Sequence, residues 1–188
     1  MEEGFCPLKI KGGIKMILNL LGAGGSGKTT LKFLLNKEEE FYTFVPLTTR
    51  ERRKNEIDGV HYHFVTLEQF KKDDSILLTR NAGNGCLYGN RKEDIVNHKS
   101  ITVTTLDING IKELERLGIP LKVVFLNISE KERRKRMLFR GDAPDKVVQR
   151  LSSDRYIFSK IDIQSPVLII ERGENLEIVE TIKKFSQE

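Results

Sequence analysis

Residues 22–29 read Gly22-Ala-Gly-Gly-Ser-Gly-Lys-Thr29, and they fill every fixed position of the phosphate-binding pattern G-x-x-x-x-G-K-[ST]. The stretch follows an apolar run, Met16-Ile-Leu-Asn-Leu-Leu21, and opens into Thr29-Thr-Leu-Lys-Phe-Leu-Leu35, whose spacing is helical. Strand, loop and helix in that order are the context the pattern requires. Gly22, Gly24, Gly25 and Gly27 let the backbone curl so that its N–H groups converge on a phosphate chain. The start of the helix adds partial positive charge. Lys28 can reach the terminal phosphates, and the Thr29 hydroxyl can ligate Mg²⁺. A flexible glycine hairpin would need neither Lys28 nor the strand before it. The stretch therefore predicts a nucleoside triphosphate site, and everything else is arranged around it.

Outward from the loop, apolar runs at 16–21, 100–106, 121–127 and 166–170 alternate with helical patterns at 28–37, 108–117, 129–140, 145–160 and 174–186. That alternation predicts an α/β fold with a central parallel sheet. Between about 42 and 98 the pattern changes. Short extended runs at 41–46, 61–65 and 76–81 are broken by charged and Gly-rich turns. This predicts a mostly β insertion into a core of 16–41 and 99–188. Thr66-Leu-Glu-Gln69 is a capping box before Phe70 and predicts a short helix. Residues 1–15 read as an N-terminal extension, and Glu38-Glu-Glu40 as a solvated turn.

A chain of 188 residues predicts one domain with a substantial core. With 38% hydrophobic and 31% charged residues, a soluble globular protein is expected. No apolar run approaches the length of a membrane span, and Met1–Leu8 lacks the pattern of a secretory signal. Cys6 and Cys86 do not make a disulfide framework. A cytoplasmic, reducing location is expected, with no membrane partner. The net charge of +5 suits polyphosphate ligands and is too mild to argue for nucleic acid. Nothing in the sequence sets an oligomeric state.

A second basic segment runs from Thr48 to Val65 and carries Arg50, Arg52, Arg53, Lys54 and Tyr62. Arginine forks and a tyrosine hydroxyl suit a second phosphate, although charge alone fits a solvated loop as well. His61 and His63 read as strand surface residues, and nothing near Cys86 makes it catalytic.

The order T-T-R-x-x-R-x-x-E-x-x-G-x-x-Y-x-F-V, carried by Thr48, Thr49, Arg50, Arg53, Glu56, Gly59, Tyr62, Phe64 and Val65, resembles the substrate-binding segment of guanylate kinases. Leu87-Tyr-Gly89, Leu106-Asp-Ile-Asn-Gly110, Arg136-x-x-x-Arg140-Gly141 and Arg150 resemble later elements of that family in the same order, so the likeness spans roughly 16 to 185. The resemblance implies a P-loop NTPase fold with an insertion that binds the nucleoside monophosphate and a short lid at about 136–146. It implies ATP and Mg²⁺ as donor and metal. ATP would lie on Gly22, Gly24, Gly25, Ser26, Gly27, Lys28, Thr29 and Thr30, with Arg136 against the adenine and Thr29 on the metal. Arg50, Arg53, Tyr62 and Tyr88 would hold the acceptor's monophosphate, with Glu56, Thr79, Asn90 and Asp107 in the acceptor site. Lys28, Arg50, Arg140 and Arg150 would act on the transferred phosphoryl group.

Two positions depart from the family pattern. Thr79 stands where guanylate kinases carry a guanine-reading glutamate, and Pro46 where they carry a serine. Pro46 has neither side-chain hydroxyl nor backbone N–H. The expected reaction is therefore phosphoryl transfer from ATP to a nucleoside monophosphate, GMP or dGMP first. The alternatives are another or modified nucleotide, a phosphorylated sugar, or a non-catalytic interaction module. Asp107 also reads as a helix cap. The run Glu130-Lys-Glu-Arg-Arg-Lys-Arg136 reads, apart from Arg136, as a charged helix face.

Overall fold

In a computed structural model, which describes residues 16–54, 56–81, 85–95, 100–159 and 161–188, the apolar run before the glycine loop forms strand β1 (Ile17–Gly22). Residues 77–81 are described through their backbone alone, and the 1–15 extension lies outside the described residues. Side chains of β1 alternate between two buried faces. Ile17 and Leu21 pack with Phe44, Ile95, Leu106 and Ile111, while Leu18 and Leu20 pack with Leu31, Leu35, Val124 and Ile182. A strand apolar on both faces belongs in mid-sheet with helices on each side. β1 is accordingly central in a five-stranded sheet of order β2-β7-β1-β8-β9, formed with β2 (Phe41–Thr43), β7 (Ile101–Thr104), β8 (Leu121–Leu126) and β9 (Val167–Ile170). Every neighbouring pair is parallel.

The core helices fall close to their expected spans: α1 (Lys28–Leu35), α4 (Ile108–Arg116), α5 (Glu130–Phe139), α6 (Pro144–Phe158) and α7 (Asn175–Gln187). Among the described residues, no helix is long and apolar enough to cross a membrane.

The insertion is a four-stranded sheet of order β4-β3-β6-β5, made from β3 (Leu47–Thr48), β4 (His63–Phe64), β5 (Ile76–Asn81) and β6 (Leu87–Arg91). α2 (Leu67–Lys72) starts at the Thr66 capping box, with both reciprocal bonds present. α3 (Lys92–Ile95) follows β6 and had no clear sequence signal; fully buried Ile95 anchors it. One expectation changes. The pattern places the start of the insertion at about 42, yet Tyr42 and Thr43 stay with Phe41 in β2 and pair with β7 in the core sheet, because Phe41 buries its ring against the core beside Leu18 and Leu20. The chain leaves the core at Pro46. Pro46 is buried, cannot continue a ladder through its own nitrogen, and accepts the His63 N–H on its carbonyl at 2.9 Å.

Candidate active site

The glycine loop turns on left-handed residues. Gly25 has φ 78° and Gly27 φ 101°, conformations that strain any residue with a Cβ. Gly27 is the N-cap of α1 and supplies no side-chain cap, so the first N–H groups of the helix are left for an anion. Lys28 folds back over the loop and donates from Nζ to the carbonyls of Gly22 (2.6 Å) and Ala23 (3.1 Å). Thr29 and Thr30 are exposed on the first turn of α1. Ser26 Oγ is buried and has no hydrogen-bond partner among the described residues. A buried polar atom left so is costly unless a ligand or water completes it.

Helices α5 and α6 close around this loop. Arg136 Nη1 approaches the Ser26 carbonyl at 3.4 Å while its Nε is held by Glu132 at 2.9 Å. Arg150 lies over Gly24 so closely that a Cβ there would meet its Nε at 3.1 Å. Arg140, at the C-terminal end of α5, is paired with Asp142 in the turn to α6.

Two residues of this shell were not singled out in the sequence. Arg133 and Asp154 form a buried ion pair at 3.0 Å, with side chains 8% and 3% exposed. The signal was periodicity. Asp154 continues the buried row Val147, Leu151, and Arg133 stands one turn before buried Met137, so each interrupts an apolar stripe. Asn19 was likewise missed. It is fully buried in β1, accepts from the Thr104 hydroxyl (2.7 Å) and the Leu106 N–H (2.6 Å), and donates to the Leu106 carbonyl (3.2 Å). These bonds fix the exit of β7 just before Asp107. Asp107 caps α4 by accepting the Gly110 N–H at 3.0 Å.

The second basic segment is organised rather than loosely solvated. Arg50 donates from Nη2 to both Glu56 oxygens (2.8 and 3.0 Å), from Nε to the Tyr88 hydroxyl (3.2 Å) and from Nη1 to the Glu51 carbonyl (2.6 Å). Its guanidinium also lies 5.5 Å from the Tyr62 ring centroid and 5.7 Å from that of Phe64. Tyr62 and Tyr88 meet edge to face at 5.7 Å. Glu56 additionally accepts the Arg53 N–H at 2.8 Å, and the half-exposed Arg53 side chain reaches the same carboxylate at 3.5 Å. Burial pushes the Glu56 carboxyl upward, but the Arg50 and Arg53 bonds outweigh it and hold the group below its ordinary value. Glu56 thus orients the arginines. β3 supports the pocket from beneath: Thr48 donates to the Leu87 carbonyl (3.0 Å), and Thr49 Oγ1 accepts the Leu87 N–H (2.9 Å). Asn90 is half-buried on β6 and paired in register with Leu78, while Thr79 pairs with Gly89 and Arg80 with Tyr88. The Thr79 and Asn81 side chains and the whole of Asn84 lie outside the described set.

Fold and site together define a P-loop nucleotide-binding protein that carries a separate arginine–tyrosine cluster on a second sheet. The chain belongs to the guanylate kinase family, whose family model matches residues 15–171. It is 28% identical over 183 residues to the guanylate kinase of Bartonella henselae, covering 88% of this chain and 81% of that protein. It is 32% identical over 148 residues to that of Clostridium perfringens, covering 73% of this chain and 68% of the relative. Among solved structures, it is similar in fold to guanylate kinase from Anaplasma phagocytophilum, with TM-score 0.68 at 23% identity over 93% of this chain and 86% of the other.

Proposed function

We infer that this chain is an ATP-dependent nucleoside monophosphate kinase that transfers the terminal phosphoryl group of ATP to GMP, giving GDP and ADP. The observation that carries this reading is the presence of two anion sites of different construction: the Lys28 loop and the Arg50–Glu56–Tyr88 pocket. The guanylate kinases it resembles support the acceptor.

ATP lies on Gly22, Gly24, Gly25, Ser26, Gly27, Lys28, Thr29 and Thr30, with Arg136 beside the loop. The orphaned Ser26 hydroxyl and the uncapped α1 terminus fit that ligand. Arg50, Arg53, Tyr62 and Tyr88 hold the acceptor phosphate. Asn90, Thr79 and Asp107 are the residues proposed to meet the acceptor base. Lys28, Arg140 and Arg150 neutralise charge that develops on the transferred group. No cluster of three or more His, Cys, Asp or Glu that could hold a metal occurs among the described residues. That suits Mg²⁺, which is commonly held by substrate phosphates and water with few protein ligands, here Thr29. The metal would neutralise phosphate charge. No covalent enzyme intermediate is needed, because the chain's own groups position and desolvate the two phosphates. The enzyme works on small nucleotides in the cytoplasm.

A second reading, another or modified base in the same pocket, is favoured by Pro46, which is buried, lacks a hydroxyl and uses its carbonyl on His63. An ADP-release assay with GMP, dGMP, AMP, UMP and CMP decides. GMP is expected to give the highest kcat/KM. A preferred non-guanine base would replace the first reading with the second; turnover with none of the five leaves only a modified base for the second reading, and absence of ATP binding by calorimetry as well would sink the kinase assignment.

A further inference from the structure

Both backbone polar groups of Gly24 are held by one buried ion pair. Asp154 Oδ2 accepts the Gly24 N–H at 2.9 Å, and Arg133 Nη1 donates to the Gly24 carbonyl at 3.3 Å as well as to Asp154 Oδ2 at 3.0 Å. Arg133 Nε is anchored on the Ile128 carbonyl at 3.1 Å, just beyond β8. The other carboxylate oxygen, Asp154 Oδ1, lies 3.3 Å from Nε of Arg150. The Arg133 backbone also blocks the loop from behind, since a Cβ on Gly25 would stand 2.9 Å from its carbonyl oxygen. One carboxylate therefore meets three things: a P-loop amide, a guanidinium on α5, and the α6 arginine expected at the phosphoryl group.

We propose that Asp154, braced by Arg133, is a positioning residue for the donor site: it holds the phosphate loop in its nucleotide-ready shape and places Arg150 beside it. The proposal rests on the nucleotide kinase reading above. Its physical basis is pre-organisation. A loop of Gly24, Gly25 and Gly27 has unusual conformational freedom, and a flexible loop loses entropy when it wraps a phosphate. Fixing Gly24 at both its N–H and its carbonyl removes part of that loss before the ligand arrives. A buried carboxylate is an expensive way to add stability, and an apolar pair of similar volume often serves as well or better. The pair at this position therefore does something beyond filling space.

That contrast gives the test. Asp154→Asn keeps an acceptor for the Gly24 N–H but removes the charge. The double variant Arg133→Met/Asp154→Leu removes both charges together, so no unpaired ion is left to unfold the protein. For each, ADP and GMP affinities are measured separately by calorimetry, and thermal midpoints are recorded. The double variant is expected to keep its midpoint and its GMP affinity while ADP binding weakens at least about tenfold, which is about 1.4 kcal/mol. Asp154→Asn is expected to weaken ADP binding about threefold, a fraction of one such contact, and to lower kcat through Arg150. ADP affinity within twofold of wild type in both variants, or equal losses of ADP and GMP affinity, would overturn the proposal. Wild-type protein that binds neither nucleotide would instead overturn the kinase reading.

Discussion

The proposed donor loop and the proposed acceptor pocket are built from opposite materials. The donor loop is backbone: left-handed glycines, an uncapped helix start and one lysine, buttressed by α5 and α6. The acceptor pocket is side chain: one arginine with three hydrogen-bonding partners and two aromatic rings, mounted on strands as short as two residues. Backbone recognition depends on what cannot be added, so its glycines are demanded by geometry. Side-chain recognition depends on what must be present. Each side-chain contact can therefore change alone, and a phosphate grip of this kind can persist while Pro46 and Thr79 depart from the family pattern.

The largest expected effect tests the donor side. Lys28→Ala should reduce kcat by roughly a thousandfold, the scale of losing a charged group that acts on the transition state, with the thermal midpoint unchanged. Retention of more than about a tenth of the turnover would mean that the backbone carries the loop without its lysine. On the acceptor side the loss should be smaller and confined to one substrate. Arg53→Ala should raise the GMP KM about thirtyfold, near 2 kcal/mol for a charge-assisted contact, and leave the ATP KM within twofold. A matching rise for ATP would erase the distinction between the two sites. Smaller again is Thr79→Glu, which should improve GMP over AMP by about tenfold in kcat/KM, the worth of one added base contact. If the wild type already prefers GMP over AMP, UMP and CMP by more than about a thousandfold, the scale of a completed hydrogen-bonded base site, other residues read guanine and this substitution should do nothing.

Legibility in the sequence follows the same divide. The donor loop could be read directly, because its geometry forces glycine, Lys28 and Thr29 into a fixed spacing. The parallel sheet was equally plain, since its strands are short, mostly apolar runs that alternate with helical patterns. Tyr42 and Thr43 fall in the expected insertion because a three-residue strand carries no period; only the partner strand β7 decides where they belong. Charge and residue type pointed to Arg50, Arg53 and Tyr62 without deciding against a solvated loop; resemblance decided it and added Tyr88, since their meeting depends on β3 pairing with both β4 and β6. Arg133 and Asp154 escaped because a charged run on a helix normally faces water. What marks them is that each falls in an apolar row. The capping role of Asp107 was legible from its place ahead of α4.

The smallest effect concerns the tie between the two regions. Lys32 lies on α1, one turn beyond Lys28, and donates its ammonium to the carbonyl of Phe44, on the segment that leads into the acceptor sheet; the same ammonium stands 4.7 Å from the Phe44 ring centroid. Burial pushes its pKa down to about 8 from an ordinary 10.5, with Asp94 opposing the shift. The sign follows from proton counts. Between these two values the unfolded chain holds the proton that the native state has already released, so this residue makes stability rise with pH. Below about 8 both states are charged and its contribution is flat; above about 10.5 both are neutral. The rise should come to roughly 1 kcal/mol between about pH 7 and 9. Urea unfolding of wild type and Lys32→Met across that range isolates it, because every other titration is common to both proteins. The difference between the two stabilities should change with pH in favour of wild type. Parallel curves would mean that the Lys32 ammonium is solvated, and that the donor helix and the acceptor segment are joined by packing rather than by a buried charge.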